Sequence, residues 1–326
     1  MRFCASIVLA AVLIGIAAGA KAQQPYPVRP ITVVVPFAAG GPTDVLTRIL
    51  GQHMSQTLGQ QIVVENITGG GGSIGAARVA KAAPDGYTMV MGNLGTHAAA
   101  VGLYKNLSYD PRVDFEPVTL VASTPMVLVV RKTLPTDTLK DFIAYAAANP
   151  HKLTFGSAGT GSISHLTYLL FTGLTHTEIQ HVPYRGLSQS VNDLLSGQID
   201  MMFDQVVSAT PHILSGGVKP IAVTAPSRAA AIPNVPSTTE AGLPELQTIA
   251  WTALFAPKAT PKPIIERVNA ALDKAMRDET VAKRLAESGA DLPAEAERKP
   301  QALGKLVRTE IDKWVPLIEA AGVVGN

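Results

Sequence analysis

The chain has 326 residues, with 27 Lys and Arg against 25 Asp and Glu, 47% hydrophobic residues and one Cys. Near-cancelling charge excludes a strongly basic nucleic-acid binder, which needs clustered Lys and Arg to neutralise phosphate. A single Cys excludes an internal disulfide or a Cys-based metal site, the apolar content excludes whole-chain disorder, and at ~100–200 residues per domain the length fits about two domains.

Residues 1–22 read as a signal peptide. Arg2 supplies the positive n-region, residues 7–18 the apolar h-region, and Ala20-Lys21-Ala22 a small-x-small cleavage pattern with cutting before Gln23. The apolar run is shorter than the ~20 residues a bilayer span needs. Cys4 precedes the h-region and is badly placed for lipid attachment. Loss of Arg2, Lys21 and Cys4 leaves a formally neutral, cysteine-free mature chain. The expected product is exported and soluble, in a bacterial periplasm.

The mature chain begins with a β-branched run, residues 31–35, read as a strand. A Gly/Pro loop, 36–42, leads into a helical pattern carrying Val45, Leu46, Ile49, Leu50 and Leu58 on one side. A second strand at 61–65, a loop at 69–72, a helix at about 73–83 and a third strand at 87–91 follow. This alternation argues for a parallel sheet with helices on both faces. The pattern restarts with strand 126–130, helix 139–148, strand 153–155, loop 156–161 and helix 162–173. Strands at 179–182, 199–203 and 221–224 come next, separated by helical stretches. Two amphipathic helices, 263–286 and 301–320, close the chain. No internal repeat is evident.

Two loops carry the chemistry. The first, Pro36-Phe37-Ala38-Ala39-Gly40-Gly41-Pro42-Thr43-Asp44, leaves a strand and enters a helix. A helix start offers unpaired N–H groups and positive dipole, glycines admit a ligand to the backbone, and Pro42 suits the first turn. The pattern favours an anion such as a carboxylate. Asp44 is expected to cap the first turn. Its charge would repel an anion placed directly on those groups, so a bound acid is expected on other N–H groups or on water. The second loop, Gly156-Ser157-Ala158-Gly159-Thr160-Gly161-Ser162, offers three hydroxyls at another strand-to-helix junction. Either loop alone is equally well an ordinary βα turn. Two in succession favour a shared cleft at the carboxyl ends of strands.

Other signals are weaker. Residues 70–75 match GxGxxG, but no acidic residue stands about 20 positions on, and an exported protein meets little dinucleotide. Gly71-Gly72-Ser73-Ile74-Gly75 also matches the GxSxG elbow, but too early in the sheet and without an HGGG-type segment. The seven His show no metal-ligand spacing. His165 reads first as a cap or core histidine, Asp204 as either a cap or a ligand contact, and Arg185 as half of a buried ion pair.

Taken together these segments resemble the Bug-type, or TctC-like, extracytoplasmic solute-binding receptors of tripartite tricarboxylate transporters. The resemblance rests on residues 36–44, then Glu65-Asn66 followed by 69–75, then Ala83-Pro84-Asp85-Gly86-Tyr87-Thr88. It continues through residues 156–162 with His165, Val182-Pro183-Tyr184-Arg185-Gly186, Phe203-Asp204 and residues 251–257, in order over nearly the whole mature chain. One stretch departs from the family: 97–100 reads His-Ala-Ala-Ala where Asn or Pro is common after the His.

The resemblance implies an α/β, two-lobed periplasmic-binding-protein fold (type II-like) with two crossovers. Residues 23–124 and 248–326 would form lobe 1 and 125–247 lobe 2, with hinge strands near 121–130 and 248–256. The two loops would act as jaws on a ligand carboxylate. The implied binding residues are Phe37, Ala38, Ala39, Gly40, Gly41, Thr96, Ser157, Ala158, Gly159, Thr160, Gly161, Ser162, His165 and Asp204. Phe37 would shield the site, Thr160 and Ser162 would bond the carboxylate, and Asp204 would favour an amine or hydroxyl. The expectation is a non-enzymatic monomer without cofactor or metal. It would capture a dicarboxylate, tricarboxylate, aromatic acid or amino acid for membrane permease subunits. The rivals are a ligand sensor for a membrane partner and a secreted serine hydrolase using Ser73.

Overall fold

The computed structural model describes residues 26–287, 290–320 and 322–324. The expected signal peptide and cleavage site lie outside the described residues. Strand β1 (Ile31–Val35) is almost wholly buried, as suits a β-branched run covered on both faces. Helix α1 (Pro42–Leu58) starts on Pro42 and stops at Gly59, whose φ of 71° is the left-handed value that ends a helix. Its buried face recurs as Leu46, Ile49, Leu50, Met54 and Leu58. Strand β2 (Ile62–Asn66), helix α2 (Ser73–Ala80) and strand β3 (Thr88–Asn93) follow, and β1 pairs in parallel with both β2 and β3.

A π-helical turn (Gly95–Ala99) and the short α3 (Ala100–Leu103) lead to β4 (Phe115–Arg131), 17 residues long. Next come α4 (Leu139–Ala148), β5 (Thr154–Ser157), α5 (Ile163–Thr175), β6 (Gln180–Pro183), α6 (Leu187–Ser196), β7 (Met201–Gln205), α7 (Val206–Leu214) and β8 (Val218–Val223). The chain returns through β9 (Ile249–Pro257) and ends in α8 (Lys262–Arg277), α9 (Glu279–Glu287) and α10 (Pro300–Ala320).

The sheet order is β2-β1-β3-β9-β4-β7-β5-β6, with β8 also on β4. It is mixed, where the alternation predicted a parallel sheet. Strands β4 and β9 carry the chain out and back between the two halves, so they run antiparallel to each other. Up to Pro125, β4 pairs with β9, and from Met126 it pairs with β7 and β8. The side-chain pattern marks only residues 126–130 of this strand, and the family resemblance extends it back to about residue 121. Pro117 and Pro125 hid the rest, and the strand tolerates Pro117 because the register shifts between Pro117 and Thr119. The expected helix 263–286 is two helices, broken where Asp278 turns extended at ψ 124°.

The apolar side chains form two clusters, one running through both halves and one centred in the first. Phe142, Phe155, Phe171 and Phe203 fill one core, and Leu46, Leu50, Met89, Leu254, Val268 and Leu272 another. The C-terminal helices fold back onto the first half. Helix α8 packs on α1 and β4, and α10 on β4 and α3.

Candidate functional site

The first loop is fastened from below by Asp44. This carboxylate accepts from Gly40 N–H at 2.9 Å, from Arg48 Nε at 2.9 Å and from Asn66 Nδ2 at 3.0 Å. Asn66 Nδ2 also donates to Phe37 O at 3.0 Å. Burial disfavours the charge, but the bonds from Arg48, Gly40 and Asn66 outweigh it and hold the carboxyl below its ordinary range. Asp44 therefore does not cap the first turn, as the sequence reading expected. It reaches back past Gly41, the N-cap, which receives no side-chain cap. The Arg48 ion pair also offsets the repulsion that Asp44 would exert on an anion.

The second loop is held by side chains that turn inward. Ser157 Oγ accepts from Gly159 N–H at 3.1 Å and lies 2.6 Å from His181 Nε2. Ser164 Oγ accepts from Ala158 N–H at 3.1 Å, and His165 Nδ1 from Gly161 N–H at 3.1 Å. Ser162 Oγ donates to Gly159 O at 2.7 Å. Gly159 and Gly161 take φ values of 113° and 82°, which only glycine adopts freely. His165 and His181 stack at 4.2 Å. Burial pushes His165 down to about 3, with a contribution from His181, and pushes His181 down to about 4. Both rings are thus neutral, which His165 needs in order to accept from Gly161.

The two loops meet around a small cavity lined by Phe37, Ala38, Gly41, Pro42, Thr43, Asn93, Ala158, Ser162, Ile163, Leu187 and Gln205. Four helices start there: α1 at Gly41, α5 at Ser162, α6 at Gly186 and α7 at Gln205. None of these N-cap side chains caps its own helix. Each start carries roughly half a positive charge and unpaired N–H groups. The cavity has a volume of about 20 Å³, room for roughly one water. The two halves touch beside it. Ser188 Oγ donates to Ala39 O at 3.1 Å, and Tyr104 Oη to Thr160 O at 2.9 Å. A Cβ on Gly186 would lie 2.7 Å from Ala38 Cβ, and one on Gly71 2.4 Å from Thr160 O. A larger open groove of about 640 Å³ runs along α10 beside Trp251 and Trp314, away from the converging helix starts.

Of the residues expected at the site, Phe37, Ala38, Gly41, Ala158 and Ser162 line the cavity. Ala39 and Gly40 sit just outside it, in the loop tied by Ser188 and Asp44. Ser157, Gly159, Gly161 and His165 shape the second loop from behind, and Thr160 meets Tyr104 through its carbonyl. Thr96 is buried, with Oγ1 turned to Asn93 and His97. Asp204 is buried and accepts from Gln205 N–H at 2.7 Å and from Ser208 Oγ. Burial pushes its carboxyl up to about 7 against the pull of those bonds. The side chain of Arg185 is exposed, not buried in an ion pair. The serine that meets a histidine is Ser157, not the Ser73 of the elbow-like motif.

Sequence reasoning missed Tyr104, His181, Ser188 and Gln205. The first three act across elements far apart in the chain. Gln205 stands directly after Asp204 at the end of a strand, and that position was the available signal.

Among known proteins, the family model described as "Tripartite tricarboxylate transporter family receptor" matches residues 46–323. An Agrobacterium vitis protein, "UPF0065 protein in the TAR-I ttuE-ttuC' intergenic region", is 41% identical over 98% of this chain and 92% of its own length. The structure of MatC from Rhodopseudomonas palustris with bound malate is 43% identical, with a TM-score of 0.87 over 90% of this chain and all of that one. The structure of the periplasmic binding protein BugD is 38% identical, with a TM-score of 0.89 over 92% of this chain and all of that one.

Proposed function

We propose a carboxylate receptor, and the premise is that the chain belongs to the tripartite tricarboxylate transporter receptor family, whose model spans residues 46–323. Its fold is the two-lobed α/β fold of periplasmic binding proteins. The protein captures a small organic acid between its two halves. The observation that carries this is the meeting of four helix starts, none capped by its own N-cap side chain, around one cavity. In a formally neutral mature chain, a carboxylate cannot be drawn by net charge. It is held instead by aimed N–H groups and helix dipoles in a site that closes away from water.

The ligand enters an open form and is enclosed on closure. The N–H groups of Ala38 and Ala39 in the first loop and of Thr160 in the second, with the Thr160 hydroxyl, hold one carboxylate, and Phe37 covers it. MatC with malate supports a small dicarboxylate as the first ligand class to try. Lobe 1 comprises 23–124 and 248–326, and lobe 2 comprises 125–247. The change of partner along β4 at Pro125 and Met126 supports that division. The mature chain starts at Gln23, works in the periplasm as a monomer without enzymatic activity, and delivers its ligand to membrane permease subunits.

A thermal-shift and calorimetric screen of mono-, di- and tricarboxylic acids tests the reading. A cognate acid at 100 times Kd stabilises by about 2.7 kcal/mol and should reduce the radius of gyration measured by solution scattering. If no carboxylic acid shifts the melting temperature, the reading fails.

A further inference from the structure

One buried polar atom at the cleft has no partner. Gln205 ends β7 and is the N-cap of α7. It is 2% exposed and lines the cavity, yet its Oε1 accepts no hydrogen bond. An acceptor buried without a donor is costly and rare. Two polar groups on the same cavity wall make their bonds within their own loops. Ser162 Oγ donates to Gly159 O at 2.7 Å, and Asn93 Oδ1 accepts from Thr96 N–H at 3.1 Å. The backbone N–H of Gln205 donates to Asp204 at 2.7 Å.

We infer that Gln205 determines ligand specificity: its Oε1 accepts from a hydroxyl or ammonium group on the bound acid, so the cleft selects hydroxy- or amino-substituted acids over their unsubstituted parents. The inference rests on the carboxylate reading above. The surrounding helix starts supply donors, which suit carboxylate oxygens. Gln205 Oε1 is an acceptor in their midst, so it repels a carboxylate oxygen and rewards a donor. Opening the cleft wets Oε1, whereas closure withdraws it from bulk water. A ligand donor removes that penalty in the closed form alone and so shifts the equilibrium towards closure.

The test is calorimetric titration of the full mature protein with matched acids. Succinate is compared with malate and aspartate, and glutarate with 2-hydroxyglutarate and glutamate. A substituted acid should bind about 10- to 100-fold more tightly than its parent. In Gln205→Met the ratio should fall to within about threefold, and a cooperative melting transition near that of the wild type shows that the variant folds. Gln205→Asn, which keeps the amide but withdraws its oxygen by one methylene, should lower the ratio too. Equal affinity for parent and substituted acids in the wild type, preference for the parent, or a ratio that survives in both variants overturns the inference and leaves the carboxylate reading standing. If neither series binds, the carboxylate reading falls and takes this inference with it.

Discussion

Tyr104 Oη donates to the carbonyl oxygen of Thr160 at 2.9 Å across 56 residues of chain, joining the segment after α3 to the loop between β5 and α5. On the proposed opening of the cleft this bond would break, so it adds to the closed state and nothing to the open one. Tyr104→Phe should expand the ligand-free protein in solution scattering and weaken acid binding about two- to tenfold, since a single net hydrogen bond is worth ~0.5–1.5 kcal/mol. Unchanged scattering and unchanged affinity would show that the latch carries no weight.

Gly186 offers a cleaner handle on closure. Its φ of 173° is extended backbone that any residue adopts, so Gly186→Ala adds no backbone strain. The new methyl would sit 2.7 Å from Ala38 Cβ and 3.1 Å from Ala38 N. Affinity should drop about tenfold or more, because overpacking a tight contact costs ~1–3 kcal/mol, while melting of the ligand-free protein changes little. Calorimetry and a melting curve on the same sample check both halves of this statement.

Asp44 ties the first loop to Arg48 and Asn66. Asp44→Asn should destabilise the protein by about 1–3 kcal/mol, the lower end being favoured because Arg48 is half exposed. The carboxyl is held below its ordinary value. Its contribution is therefore complete above the usual carboxylate range, near pH 4, and is lost as pH falls through the lowered native value. Chemical denaturation at pH 7 and at pH 3 should show the gap between wild type and variant closing at the lower pH.

His165 and His181 act with the same sign in a higher pH window. Both native values, about 3 and about 4, lie below the ordinary ~6.5. Between those limits the unfolded chain holds more protons than the native one. Stability is complete above about pH 7 and falls as pH drops towards 4. Asp204, raised to about 7, works in the opposite sense over much of the same window, so the wild-type curve alone is ambiguous. His181→Gln, compared with wild type, isolates one ring. The loss of melting temperature between pH 7.5 and pH 5 should be smaller by several degrees in the variant. An identical slope would mean that His181 is not held neutral.

Some of the molecule was legible because its causes are local. The βα alternation, the helix over residues 139–148 and the Gly-rich starts of α1 and α5 follow from side-chain spacing, Pro42 and glycine at positive φ. Three features were not local. The 17-residue β4 contains two prolines and changes partner at its middle, which no window of sequence reports. Asp44 has the spacing of a cap, but Arg48, Asn66 and the turn at Gly40 claim it first. Arg185 stands in a motif that suggested a buried pair, and the surface leaves it exposed.

The sequence by itself determined an α/β protein with anion-friendly helix starts and, through the order of its motifs, its place in the tripartite tricarboxylate transporter receptor family, because periodicity and motif order are properties of one dimension. Tertiary structure alone decided that four of those starts face one cavity, that Tyr104 and Ser188 shut it, and that Gln205 Oε1 is left without a donor. Those facts depend on which groups meet across the cleft, and pairing between elements 50 to 150 residues apart has no local signature.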